Sequence, residues 1–205
     1  MHPEAITSKQ NEVLKKLPIP PDFYLAGGTA LALQIGHRIS VDFDFFTSQS
    51  IPPNLLSRLQ KIFGEQEVEI ILNVSYQLTT RIAGIEVTYF KYPFPPMLPF
   101  VSYDKIELLS IPEIGASKAH TIGRRATWKD YVDLYFMLEE KHLELQKLIT
   151  IAQKKYGEEF DPRLFLEQLL YLEDVPPTPI TFLKQEPNRS EMLALFEGAI
   201  KKVKI

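Results

Sequence analysis

The sequence predicts an α+β chain, with a region of short strands first and a helical half after it. Three observations carry this. Apolar or alternating runs of strand length fall between residues 23 and 92. A loop with four prolines, Tyr92 to Pro99, closes that region. Beyond Pro112 the apolar spacing turns helical and stays so. Strands grouped ahead of helices mark an α+β architecture. The composition suits it: 205 residues, 45% hydrophobic and 24% charged, give an ordinary globular chain with a real core.

Taken in order, a short amphipathic helix is expected over Lys9 to Leu17, ended by Pro18, Pro20 and Pro21. Phe23 to Ala26 reads as a buried strand that Gly27-Gly28 breaks. Thr29 caps a helix through Leu33, which Gly36 ends. Val41 to Phe46 alternates and reads as a strand. Ser50 caps a helix with Pro52 and Pro53 in its first turn, running to about Phe63. Strands follow at Val68–Leu72, Tyr76–Ile82 and Ile85–Tyr92, the last two joined by an Ala83-Gly84 hairpin turn. Helices are expected near Glu113–Ile122, Trp128–Glu139, Leu143–Tyr156, Pro162–Leu172 and Ser190–Val203. The stretch Val175 to Pro187, again with four prolines, reads as a surface linker. The expected division is a sheet domain over 1–110 and a helical region over 111–205 packed against it.

Composition also excludes some functions. With no cysteine there are no disulfides and no thiolate metal ligands, which suits a reducing, cytoplasmic setting. The N-terminus lacks the apolar core of a signal peptide, and no apolar stretch approaches the roughly 20 residues that span a bilayer. A net charge of −3 gives no global basic field to hold nucleic acid, so any such contact would be a local patch.

Chemistry concentrates at Val41-Asp42-Phe43-Asp44-Phe45. On a strand, Val41, Phe43 and Phe45 face a core while Asp42 and Asp44 share the other face, their Cα atoms about 6.6 Å apart. Two carboxylates so close repel, and a hard divalent ion such as Mg²⁺ or Mn²⁺ relieves them. Alone, such a pair is more often a solvated strand face. Upstream, however, lies strand, Gly-Gly-Thr, helix: a helix N-terminus for an anion and two glycines that let backbone approach it. Between them, Arg38 is a candidate for phosphate contact or for pairing with an Asp, and His37 for proton transfer. The plainer alternatives are a surface ion pair and an ordinary loop histidine.

The stretch LAGGTALALQIGHRISVDFDFF resembles the nucleotidyltransferase AbiEii/AbiGii toxin family of the polymerase-β-like nucleotidyltransferase superfamily. The family pattern is Gly-Gly-Thr-Ala-Leu, then His-Arg-x-Ser-x-Asp-hydrophobic-Asp-hydrophobic-Phe, and this chain matches at each of those positions. The resemblance spans about residues 20 to 175, strongest at 25–46 and moderate at 112–136. It implies a nucleotidyltransferase fold: a small mixed sheet flanked by helices, followed by a helical C-terminal half. It implies a nucleoside triphosphate held by Gly27, Gly28 and Thr29, with Arg38 and Ser40 nearby, and Mg²⁺ on Asp42 and Asp44. It implies an acceptor hydroxyl on RNA such as tRNA, or on protein, and a growth-inhibiting toxin with a cognate antitoxin, of the abortive-infection type.

Superfamily enzymes carry a third carboxylate on a later strand, and here the chain departs from the pattern. Relatives often show Gly-Val-Lys-Val-Asp; this chain has Gly84-Ile85-Glu86-Val87-Thr88. Thr88 cannot act as a general base near neutral pH. Glu86, two residues earlier and so on the same strand face, is the candidate replacement; the alternative is an exposed strand residue. In the helical half, Lys118 ahead of Lys129-Asp130-x-x-Asp133-Leu134 resembles later family motifs. The resemblance gives Lys118 to the triphosphate and Asp130 to support of the site. Thr127 is the expected cap of the helix bearing Asp130. Asp133 is expected to pair with Lys129, four residues earlier, and Lys118, Ile122 and Arg125 to share a helix face.

Three functions compete: the transferase, a catalytically inactive nucleotide- or partner-binding module of the same fold, and a glycosyltransferase, which also grips metal with Asp-x-Asp. The Gly-Gly-Thr turn just ahead of Asp42 favours the first over the third, and the missing third acid favours the second.

Overall fold

The computed structural model describes residues 1–125 and 127–204. The chain divides into two compact units, Met1–Leu109 and Ser110–Ile205.

The first unit holds a seven-stranded mixed sheet. Its strands are β1 (Tyr24–Ala26), β2 (Phe43–Thr47), β3 (Val68–Val74), β4 (Gln77–Ile82), β5 (Ile85–Lys91), β6 (Val101–Tyr103) and β7 (Ile106–Leu108), in the spatial order β3-β4-β5-β2-β1-β7-β6. β2 lies in the middle, antiparallel to β1 and parallel to β5. Alternation along β2 and β5 sends Phe43, Phe45, Val87 and Tyr89 to a fully buried face and leaves Asp44, Phe46, Glu86, Thr88 and Phe90 on the other. On the buried face the Phe45 and Tyr89 rings stack at 5.4 Å, and the Tyr89 hydroxyl donates to the Pro18 carbonyl at 3.1 Å. Burial pushes that phenol well above its ordinary pKa.

Three helices belong to this unit: α1 (Ser8–Lys16), α2 (Gly27–Ile35) and α3 (Leu55–Phe63). Thr7 and Gln10 form a capping box at the start of α1. Gly36, left-handed at φ 64°, ends α2. The Ala83-Gly84 turn has both residues at positive φ, as a tight hairpin requires.

Several boundaries differ from expectation. α2 begins at Gly27, so Thr29 lies inside the first turn and does not cap it. β2 begins at Phe43, so Asp42 precedes the strand and Val41, expected in the core, is 50% exposed. α3 begins at Leu55 with Asn54 in the cap position, well beyond Ser50. β6 and β7, three residues each, add to the expected strands: they are too short to show a period in the sequence. β7 extends the sheet beside β1, with Leu25 opposite Leu108.

The second unit is helical: α4 (Ile111–Ile122), α5 (Trp128–Glu139), α6 (Leu145–Tyr156), α7 (Pro162–Leu170) and α8 (Arg189–Ile200). Tyr131, Leu134, Leu148, Phe165 and Phe196 fill its core. A fully buried ion pair, Lys155 with Glu113, links α6 to α4. Asp161 caps α7, and a capping box of Asn188 and Glu191 starts α8.

Candidate functional site

The register of β1 and β2 sets Ala26 opposite Asp44. The next residue, Gly27, takes φ +65°, and a Cβ built there would lie 2.8 Å from Asp44 Oδ2. Glycine is thus required twice, by backbone conformation and by the carboxylate against its α-carbon. Ala26, the cap residue of α2, offers no side-chain cap, so the first-turn amides keep an electropositive helix end at the turn that holds Asp44. Gly27→Ala is expected to cost about 1–2 kcal/mol from the left-handed conformation alone, with a further loss as Asp44 is displaced; chemical denaturation measures it.

Asp42 is fixed differently. The Thr29 hydroxyl bonds the Asp42 carbonyl oxygen and lies 2.7 Å from Ser40 Oγ. A hydroxyl has one proton: with it on the Asp42 carbonyl, Thr29 accepts from Ser40. Thr29 and Ser40 are both buried. The two acids therefore flank the first turn of α2, Asp44 by its carboxylate against Gly27 and Asp42 by its backbone on Thr29. Gly28 is part of the same turn and half-buried. His37 and Arg38, which read as surface or phosphate-contacting from sequence, are buried, and the Arg38 guanidinium donates to the Ile39 carbonyl at 3.3 Å.

Across the sheet, β2 and β5 run parallel with Asp44 opposite Thr88. The third-acid position of the family pattern thus faces Asp44 but holds a hydroxyl, 3.2 Å from that of Thr79 on β4. Glu86 lies on the same sheet face near the hairpin end of β5. Its side chain is 43% exposed and 3.8 Å from Arg81, its cross-strand partner, which also binds Glu69 at 3.0 Å. Among the described residues no three His, Asp or Glu side chains form a metal-holding cluster, so Glu86 does not join the two aspartates in one.

In the helical unit Lys118 is almost fully buried between two carboxylates, Asp130 at 2.9 Å and Asp133 at 2.6 Å. The Thr127 hydroxyl donates to the other oxygen of Asp130 at 2.6 Å. Thr127 occupies the cap position of α5 but its side chain bonds Asp130, not a backbone amide. Asp133 pairs with Lys118, not with Lys129, because it points into the core where α4 brings the lysine. Arg125 lies past Gly123, the end of α4, so the expected face of Lys118, Ile122 and Arg125 does not form.

Sequence reading missed Gln10, whose buried amide reaches the Ser40 carbonyl at 2.6 Å. The available signal was the Thr7-x-x-Gln10 capping box, which places Gln10 at a helix start but says nothing of its far partner.

The sequence matches the family described as nucleotidyl transferase AbiEii toxin, type IV toxin–antitoxin system, over residues 12–94 and 84–204. It is 32% identical over 201 residues to an uncharacterized protein of Aquifex aeolicus (strain VF5), covering 96% of each chain. Similar folds include a crystal structure from H. pylori provisionally described as a nucleotidyltransferase (TM-score 0.60, 18% identity, 99% of this chain and 97% of that one). They also include MenT4, a nucleotidyltransferase toxin from Mycobacterium tuberculosis H37Rv (TM-score 0.60, 16% identity, 94% and 80%). The chain belongs to the nucleotidyl transferase AbiEii toxin family and has the nucleotidyltransferase fold. Among the described residues no helix is long and apolar enough to cross a membrane.

Proposed function

We propose that this protein is a cytoplasmic, Mg²⁺-dependent nucleotidyltransferase that moves a nucleotide from an NTP to an RNA or protein acceptor, as the toxin of an abortive-infection type pair with a cognate antitoxin. Residues 1–110 carry the site acids and 111–205 form the helical domain. One observation carries the reading: the Asp44 carboxylate lies against the α-carbon of a glycine that begins a helix, with Asp42 anchored on the same turn.

The donor set suits the metal. Asp42 and Asp44 offer hard carboxylate oxygens, are only half-buried, and adjoin a position that bears no Cβ. When bound there, Mg²⁺ supplies charge neutralisation and lowers the pKa of a hydroxyl. The chain's own groups do the rest. Gly27 makes room for the Asp44 carboxylate, and Gly28 with the first-turn amides of α2 is there to meet phosphate oxygens. Thr29 and Ser40 keep Asp42 in place. Arg38, buried in the loop before the acids, donates to the Ile39 carbonyl there. Glu86 is the candidate to take the proton of the acceptor hydroxyl, by way of a water or after release from Arg81.

Purified protein incubated with each α-labelled NTP, Mg²⁺ or Mn²⁺, and either total RNA or total cell protein tests this directly. Label should enter one acceptor class and be lost in Asp42→Asn. A second reading, a binding module without turnover, is favoured by one observation: the residue opposite Asp44 is Thr88. Nucleotide binding with no label transfer to either acceptor would establish it in place of the first.

A further inference from the structure

Asp42 sits on an irregular loop, between the end of α2 at Ile35 and the start of β2 at Phe43. Such a loop must find partners for its backbone outside regular structure. At Ser40 they come from three places. Its N–H donates to the Ala5 carbonyl at 2.9 Å. Its carbonyl accepts from Gln10 Nε2 at 2.6 Å. Its hydroxyl meets Thr29. Two of the three lie in residues 2–10, which run across this loop as a packed strap. The His2 N–H donates to the Leu33 carbonyl at 2.8 Å, a Cβ on Gly36 would run into the His2 ring, and Ala5 and Ile6 are buried.

Gln10 is the hinge pin of this arrangement. Its Oε1 accepts from the backbone N–H and the hydroxyl of Thr7, each at 2.9 Å, and closes the capping box of α1. Its Nε2 reaches thirty residues along the chain to Ser40. One amide thus fixes the start of a helix with one end and the acid loop with the other. Only Val41, half-exposed, separates Ser40 from Asp42. Asp42 is therefore held at two points, its own carbonyl on Thr29 and the Ser40 carbonyl on Gln10.

We infer that Gln10 is a positioning residue: through Ser40 it sets where the Asp42 carboxylate stands, although it touches no reacting group. Its metal arm rests on the function proposed above; its structural arm does not.

Gln10→Glu separates the two ends of the amide. Both oxygens of glutamate accept, so Thr7 keeps its partner, while Ser40 loses its donor and faces an oxygen. Hydrogen exchange read by mass spectrometry should accelerate about tenfold over residues 36–42 and stay unchanged over 8–16. Mn²⁺ affinity by calorimetry should fall about tenfold or more, the usual effect of losing a group that orients a metal ligand, and kcat should fall with the KM for NTP near wild type. Thr7→Val, which opens the cap and leaves Nε2 in place, should accelerate exchange over 8–16 and leave Mn²⁺ affinity within about twofold, because a cap acts within its own helix. If the buried carboxylate prevents folding, Gln10→Met, of equal length and without polar atoms, gives the same loop reading. Loop exchange at the wild-type rate, or equal loss of Mn²⁺ affinity in the Thr7 and Gln10 variants, overturns the inference. A wild-type protein that binds no Mn²⁺ refutes the metal site instead, and the exchange data alone then decide the structural arm.

Discussion

Asp44→Asn is expected to lower nucleotidyl transfer by about 10²–10³-fold, since a ligand carboxylate supports several kcal/mol of transition-state charge stabilisation. The substitution keeps size and shape. β2 should hold its register between β1 and β5, and the contact with Gly27 should survive as an amide. Only the charge is lost. The measurement is kcat/KM for label transfer, beside a melting temperature that stays within about 2 °C of wild type, as for an isosteric change on a half-buried face. Transfer within tenfold of wild type would remove Asp44 from the metal site.

Lys118→Ala should have the largest effect on stability, about 3–5 kcal/mol, because it strips a counter-charge from a buried carboxylate. The Asp133 side chain is 0% exposed and the lysine ammonium lies 2.6 Å from it. Denaturant unfolding of the full chain measures the loss. The same burial complicates the triphosphate role that the sequence resemblance assigns to Lys118, since weaker nucleotide binding in this variant would follow from unfolding alone. Lys118→Met combined with Asp133→Leu resolves the two. An apolar pair of similar volume should restore most of the stability. If NTP affinity then returns as well, the lysine is a structural cation; if it stays low in a stable protein, the ammonium contacts nucleotide.

The turn and the acids were legible because their signals are local. A strand, two glycines and a helix declare themselves within a dozen residues, and alternation over Phe43 to Phe46 marks the face that Asp44 occupies. Alternation misled at Val41 and Asp42. The apolar–polar pattern continues through them, yet the Asp42 carbonyl is taken by the Thr29 hydroxyl and not by a neighbouring strand, so the strand starts two residues later than the pattern predicts, at Phe43. Thr29 misled in a related way. A threonine after glycines reads as a cap, but the left-handed Gly27 turns the chain early, Ala26 takes the cap position, and Thr29 stands three positions further in. The long amphipathic helices lie within two or three residues of their expected bounds because their period repeats several times. The partners of Lys118 and the reach of Gln10 were invisible, since each joins segments a dozen to thirty residues apart and depends on how elements pack.

The parallel pairing of β2 with β5 has a consequence for how the protein comes into being. Asp44 meets Thr88 only after the chain has passed through α3 and two hairpinned strands, about forty residues later, and closing so long a loop is slow compared with forming a helix. On the ribosome the strap, the glycine turn and both acids emerge first, yet the strand that bears Asp44 has a neighbour on one side only until β5 has been made. The sheet face bearing that acid is therefore completed late, as a non-local event in folding, and the growing chain carries the acids well before it carries the surface that arranges them.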